Sequence, residues 1–250
     1  PPSLIAGTAQ LGPMSREMKS SEIEQFVGRF GYKPTRIGVA IDALAIYANR
    51  DNPIDRINLG QIDAIYSNTS YRGVAPIETW DDLGIPGPWG RRRISIFGRN
   101  SASGTYGLFK EVALLNGDFR AAVQEQPGSS AVVLGVAMDR FGIGYSGIGY
   151  KSPGVKVLRV SRGGEEYVAP TYDNVLSGRY PFARVLLIYI NKPPRERLDP
   201  LVHEFIRFAL SREGQEIVIK DGYYPLPADI AARILARLGA PGRGRGPEVE

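Results

Sequence analysis

The chain has 250 residues, 43% hydrophobic and 23% charged, a globular composition long enough for one large domain or two lobes. Its net charge of +5 is dispersed, with much of it in "GRRRIS" (90–95) and in the tail "GAPGRGRGPEVE" (239–250), so no concentrated basic face for nucleic acid is expected. The absence of cysteine excludes disulfides, thiolate chemistry and cysteine metal sites, and no apolar run approaches the ~18 residues of a transmembrane helix.

The opening "PPSLIAGTAQ" shows neither a basic stretch nor an apolar core of the kind that marks a signal peptide. "SREMKSSEIEQFVGRFG" (15–31) reads as a turn and then a helix, with Ile23, Phe26, Val27 and Phe30 at helical spacing and Gly31 as the stop. "TRIGVAIDALAIYAN" (35–49), rich in β-branched residues around Asp42, predicts a long or bent buried strand. "DNPI" (51–54) is a turn, "LGQIDAIYS" (59–67) a helix and "ETWDDLG" (78–84) a loop or short helix. "RRRISIFGR" (91–99) predicts a strand and "GTYGLFKEVALL" (104–115) a helix.

"SSAVVLGVAMD" (129–139) follows as a helix capped by serine, then "FGIGYSGIGY" (141–150) as a glycine-interrupted strand and "VKVLRV" (155–160) as another. "ARVLLIYIN" (183–191) is a continuous apolar run, expected of a strand buried on both faces. Residues 199–222 predict one or two helices, "ADIAARILARLG" (228–239) predicts the last, and the Gly/Pro/Arg tail is expected to be disordered. No internal repeat is evident. Strands alternating with helices indicate an α/β architecture, whose ligands sit beyond the carboxyl ends of strands.

The stretch "GRNSASGTYGLFKE" (98–111) occupies that place: a strand, a loop, then a helix start. A helix start leaves backbone N–H groups unpaired and carries partial positive charge. Glycine admits a ligand close to the backbone, and hydroxyl protons rotate to suit it. Arg99 adds a full charge on a planar fork that grips two oxygens of a phosphate. Two readings stand on these residues alone: Ser103 or Thr105 caps the helix, or the donors hold an anion. The stretch is neither G-x-x-x-x-G-K-[ST] nor G-x-G-x-x-G, so nucleotide-binding patterns do not apply.

With these residues in view, the chain resembles the phosphate-binding proteins that serve phosphate ABC transporters, of the periplasmic binding-protein class. "GRNSASGTYGLFKE" looks like their central phosphate loop. "LGPMSREM" (11–18), "VAIDALAIYANRDNPI" (39–54), "FGIGYSGIGY" (141–150), "YPFARVLLIYIN" (180–191) and "SREGQEIVIKDGYYPLP" (211–227) match further pieces in order. The resemblance implies a two-lobed α/β fold of class II. Residues 1–47 with 183–250 would form a discontinuous first lobe, and residues 48–182 the second. Family members begin with a further segment, so the first lobe is expected to lack its N-terminal strand, helix and two loops.

The same resemblance implies that inorganic phosphate binds between the lobes and passes to a membrane permease. It implies no chemistry on the ligand, no cofactor, no metal and no nucleic-acid partner. A monomer is expected once the N-terminal segment is present, located in the periplasm or outside the cell. Arg99, Ser103, Gly104 and Thr105 match the second-lobe phosphate ligands, and Ser15 and Arg16 fall where the first lobe contributes. Some members carry an aspartate where this chain has Arg16, and that carboxylate accepts the proton of hydrogen phosphate. Arg16 only donates, so weaker rejection of sulfate is expected, and arsenate belongs to the same class of ligand.

Two rival readings are a phosphatase-like hydrolase on this scaffold and a scavenging or adhesion protein for another oxyanion. The hydrolase lacks material: His203 is the single histidine, and "GYSGIG" carries Ile148 where the nucleophile elbow needs glycine. His203 is expected at the edge of an apolar stripe of Leu201, Val202, Phe205, Ile206 and Ala209. Arg91, Arg92 and Arg93 read as a solvated face, and Tyr145 and Tyr150 as packing residues, with Ser146 near the ligand.

Overall fold

The computed structural model describes residues 1–150, 152–194 and 196–239. The tail expected to be disordered lies, from residue 240 on, outside the described residues. The chain divides into two compact units, Pro1–Ile41 with Arg184–Glu250, and Asp42–Ala183.

The first unit is built on three strands. β1 (Leu11–Met14) pairs antiparallel with β9 (Ala183–Ile190), setting Leu11 opposite Ile190 and Met14 opposite Leu187, and β9 neighbours β2 (Thr35–Asn49). α1 (Pro2–Ile5) and α2 (Ser20–Phe30) bring Leu4 and Phe26 onto this sheet, where they pack with Met14, Met18, Leu187 and Tyr189. α2 ends at Gly31 in the left-handed region at φ 78°, which a side chain would strain, so the sequence stop is a conformational one. The expectation that β9 is buried on both faces holds only for Leu187–Ile190; Val185 is 38% exposed.

Three helices complete the unit: α7 (Pro200–Ala209), α8 (Arg212–Lys220) and α9 (Ala228–Gly239). Asp199 caps α7, accepting the Leu201 and Val202 amides, and Ser211 caps α8 by accepting the Gly214 amide. Val202, Ile206 and Leu210 form the buried stripe of α7. Leu201 and Phe205, expected in that stripe, face solvent at 77% and 46% exposure, because the helix seats on the i, i+4, i+8 row that starts at Val202. His203 is half-exposed and its Nδ1 lies 3.3 Å from Glu204 Oε1. α8 is tied down by Gln215: its Nε2 donates to the carbonyls of Val39 (3.0 Å) and Ala209 (2.7 Å), and its Oε1 accepts the Leu226 amide (2.8 Å).

The second unit takes over β2 from Asp42, a buried residue at the point where the chain passes between the units. Its sheet runs β2, β6 (Gly142–Gly147), β4 (Ser95–Arg99), β5 (Gln124–Gln126), with β7 (Val155–Val157) also on β2. β2 and β6 are antiparallel, whereas β4 is parallel to both β6 and β5. "VKVLRV", expected as one strand, is broken at Leu158: β7 joins this sheet and β8 (Arg159–Ser161) pairs parallel with β3 (Arg56–Asn58). β4 begins at Ser95, four residues later than expected, because Arg91–Arg93 lie in the exposed turn that precedes it. In that turn Arg92 stands over the Phe141 ring and Arg93 pairs with Glu78.

α3 (Leu59–Tyr66) and α4 (Gly104–Leu114) pack together, with Tyr66 edge-on to Phe109 at 4.8 Å. An arginine from outside each helix closes its last turn. Arg120 donates to the carbonyls of Ala64 and Ser67, and Arg72 to those of Val112 (2.6 Å) and Ala113 (2.7 Å). A cation there satisfies orphan carbonyls and matches the negative end of the helix. On the other face α5 (Ser129–Met138) buries Val132, Val133 and Val136 against Phe97 and Tyr47. The small α6 (Tyr172–Leu176) is capped by Thr171.

Gln215→Ala removes three hydrogen bonds from a nearly buried group. At ~0.5–1.5 kcal/mol each, a loss of about 2–4 kcal/mol is expected in urea denaturation followed by circular dichroism.

Candidate anion-binding site

β4 lies between β5 and β6 and runs parallel to both, with Arg99 level with Gln126 and Phe97 level with Gly144. Parallel neighbours require crossovers. Here α4 lies between β4 and β5 in the chain and α5 between β5 and β6, so both helices begin at the carboxyl end of the strands. Arg99 is the last residue of β4 and stands there.

Gly98 precedes it for a steric reason. A Cβ at Gly98 would come within 2.8 Å of the Tyr145 ring, which lies against this stretch of backbone. Tyr145 is fully buried, stacks on Phe109, and donates its hydroxyl to the Arg99 carbonyl at 3.3 Å. Burial pushes its phenol well above the usual range, so it remains a donor. The expectation that Tyr145 packs is met. Tyr150 is 44% exposed, its carbonyl accepting the Tyr47 hydroxyl.

After Arg99 the chain turns, with the Ser103 amide donating to the Asn100 carbonyl at 3.0 Å. Ser103 is the cap of α4: its Oγ accepts the Thr105 amide at 3.1 Å, and its backbone is extended at φ −84°, ψ 133°. The capping reading is therefore correct for Ser103, and it leaves the anion reading intact. A hydroxyl that accepts from Thr105 still has its own proton to donate outward. Gly104 is exposed at the first position of the helix and Thr105 is buried beneath it.

Arg99 is held from the α5 side. Its Nη1 donates to Ser129 Oγ at 2.7 Å and its Nη2 to the Pro127 carbonyl at 3.2 Å. Its Nε is buried without a partner. Among the described residues no carboxylate pairs with this guanidinium, so the charge at the end of β4 is not neutralised. Ser129 was expected to cap α5. The structure corrects this: the cap position is Gly128, which has no side chain to offer, and the Ser129 hydroxyl faces Arg99 instead. Sequence reasoning missed Pro127 and Ser129 as neighbours of Arg99. The serine at the start of "SSAVVLGVAMD" reads as a helix cap, and nothing local in it points to a residue about thirty positions earlier.

Ser15 and Arg16 belong to the first unit, directly after β1. Arg16 is engaged with Glu22: both Nη atoms donate to the carboxylate at 2.8 Å, and Nη1 also donates to the Glu17 carbonyl. Glu22 in turn accepts the Lys19 amide at 2.8 Å, so this fork braces the start of α2. Ser15 is half-buried. Among the described residues no group of three or more His, Cys, Asp or Glu is placed to hold a metal ion.

A family model described as a PBP superfamily domain matches residues 3–213. The phosphate-binding protein PstS of Pseudomonas aeruginosa is 50% identical over 241 residues, 96% of this chain and 75% of its own length. The chain belongs to the PBP superfamily, in the family of phosphate-binding protein PstS. Protein SphX of Synechococcus elongatus is 27% identical over 89% of this chain and 64% of its own. Among solved structures, one from Clostridium perfringens, assigned to a phosphate ABC transporter and solved with bound phosphate, is 26% identical. It has a TM-score of 0.68 and aligns over 90% of this chain and 83% of its own. An ABC-type phosphate transport receptor from Vibrio cholerae has a TM-score of 0.70 at 23% identity, aligning over 90% and 83%. The α/β fold read from the alternating elements is the fold of these proteins.

The Arg16 hydrogen bonds, with help from the Lys19 amide, hold the Glu22 carboxyl at about 2, below its ordinary 4.5. A carboxyl lowered by folding stabilises the fold above its unfolded value and stops doing so as pH falls through the folded value. Wild type is thus expected to exceed Glu22→Gln by about 1 kcal/mol at pH 7, a solvent-screened magnitude, in denaturant titrations. The gap should shrink between pH 4.5 and 2 and close below that.

Proposed function

We propose that this chain binds inorganic phosphate and delivers it to the permease of an ABC transporter. The 50% identity to a phosphate-binding protein across 96% of the chain carries the reading. The Arg99–Thr105 loop at the carboxyl end of β4 supports it physically, because it combines an unneutralised guanidinium with the start of α4. In this reading Arg99 pairs with two phosphate oxygens, Ser103 donates its free hydroxyl proton, and Gly104 and Thr105 donate from the first turn of the helix. Ser15 and Arg16 are proposed as contacts from the first unit. Ser15 is the readier donor, since Glu22 already neutralises the Arg16 guanidinium. The division into lobes of 1–47 with 183–250 and 48–182 belongs to the same proposal.

The function proposed is binding without turnover, since the relatives are substrate-binding proteins. Among the described residues no helix is long and apolar enough to cross a membrane. A periplasmic or extracellular location belongs to the same proposal, as does a monomeric state once the N-terminal segment of the family is present. Sulfate is proposed as a further ligand, because Arg16 supplies no acceptor for the proton that distinguishes hydrogen phosphate from sulfate, and arsenate as another, because it is protonated as phosphate is.

Arg99→Ala is expected to lose about 2–5 kcal/mol of phosphate binding in titration calorimetry, with an unchanged circular dichroism spectrum. Wild-type affinity in that variant would overturn the assignment of the loop. Phosphate at ~100 times its Kd should stabilise the wild type by about 2.7 kcal/mol in thermal melts, with a smaller shift from sulfate. Hydrolysis of a chromogenic phosphate ester would favour the hydrolase reading instead.

A further inference from the structure

The Arg99 guanidinium is more constrained than its place at a strand end requires. An arginine side chain has many rotamers, and a fork that grips two oxygens must present one edge in one plane. In this chain two of its five N–H donors are fixed by neutral acceptors, Ser129 Oγ and the Pro127 carbonyl, both at the beginning of α5. Neither acceptor carries charge, so they orient the guanidinium without cancelling the charge that an anion would need.

Ser129 is itself anchored. It is 8% exposed, and its carbonyl accepts the Ser146 hydroxyl of β6 at 3.2 Å. The Arg99 backbone is fixed separately, as its carbonyl accepts the Tyr145 hydroxyl, also from β6, and Asn100 donates its amide to Gln126 of β5. Backbone and fork are thus referred to the same pair of strands. Ser129 is the one side chain among the described residues that hydrogen-bonds the guanidinium.

We propose that Ser129 is a positioning residue for phosphate binding: its hydroxyl orients Arg99 without itself contacting the anion. This rests on the phosphate reading above. It also explains why α5 forgoes a side-chain cap, since the serine closest to its start faces Arg99 rather than the helix amides.

The test is phosphate affinity by calorimetry for the full chain and for Ser129→Ala, Ser129→Thr, Arg99→Ala and Arg99→Ala/Ser129→Ala. Weak variants are followed by NMR titration at millimolar phosphate, with thermal melts of each. Ser129→Ala is expected to bind about ten-fold more weakly, as for one lost charge-assisted hydrogen bond, and Ser129→Thr to recover most of that. In the Arg99→Ala background, loss of the Ser129 hydroxyl should change affinity less than about two-fold, because the group it orients is gone. Wild-type affinity in Ser129→Ala would overturn the proposal while leaving the phosphate reading in place. An equal ten-fold loss with and without Arg99 would also overturn it, showing direct contact or a general structural effect. Failure of the wild type to bind phosphate would remove both the reading and the proposal.

Discussion

Parallel strands cannot be joined by a tight turn, and that constraint sets the rest of the second unit. Because β4 is parallel to β5 and β6, the chain must cross back twice, and α4 and α5 make those crossings. Two helix starts therefore meet the carboxyl end of β4. Partial positive charge from both, and the full charge of Arg99, collect at one end of a short strand. An anion is what such a place can hold. The other details follow from keeping it in order: a glycine at 98 so that Tyr145 fits against the backbone, a serine at 103 to close the turn, and a serine at 129 to fix the arginine.

Beyond the N-caps found in both units, longer side chains also fix helix ends. In the second, arginines from distant segments close the last turns of α3 and α4. In the first, a carboxylate and an arginine brace the first turn of α2, and a nearly buried glutamine ties α8 to β2. Arg16 and Arg99 are thus chemically alike and differently placed. Arg16 faces a carboxylate that neutralises it, whereas Arg99 faces only neutral oxygens. That difference, invisible in residue type, decides which of the two is ready for an anion.

Much of this was legible in the sequence because it is local. The loop from Gly98 to Thr105 announces itself through consecutive small donors after a strand and before a helix. The helix stop at Gly31 and the cap at Ser103 are likewise short-range matters. What the sequence left open depends on partners far along the chain. Val155–Val160 reads as one strand, yet its two halves pair with different strands and break at Leu158. Leu201 and Phe205 fit an apolar stripe by spacing, but α7 seats one residue further round, on Val202 and Ile206. Ser129 looked like a cap because serine before a helix usually is one. Only the sheet order brings Arg99 to it.

Diffraction from crystals of this chain grown with phosphate tests whether phosphate sits on Arg99 and the first turn of α4. Tetrahedral density is expected within hydrogen-bond distance of the Arg99 guanidinium and of Ser103, Gly104 and Thr105, with the contact between Arg99 and Ser129 retained. Tetrahedral density elsewhere, with the guanidinium still turned only toward Ser129 and Pro127, would contradict that placement.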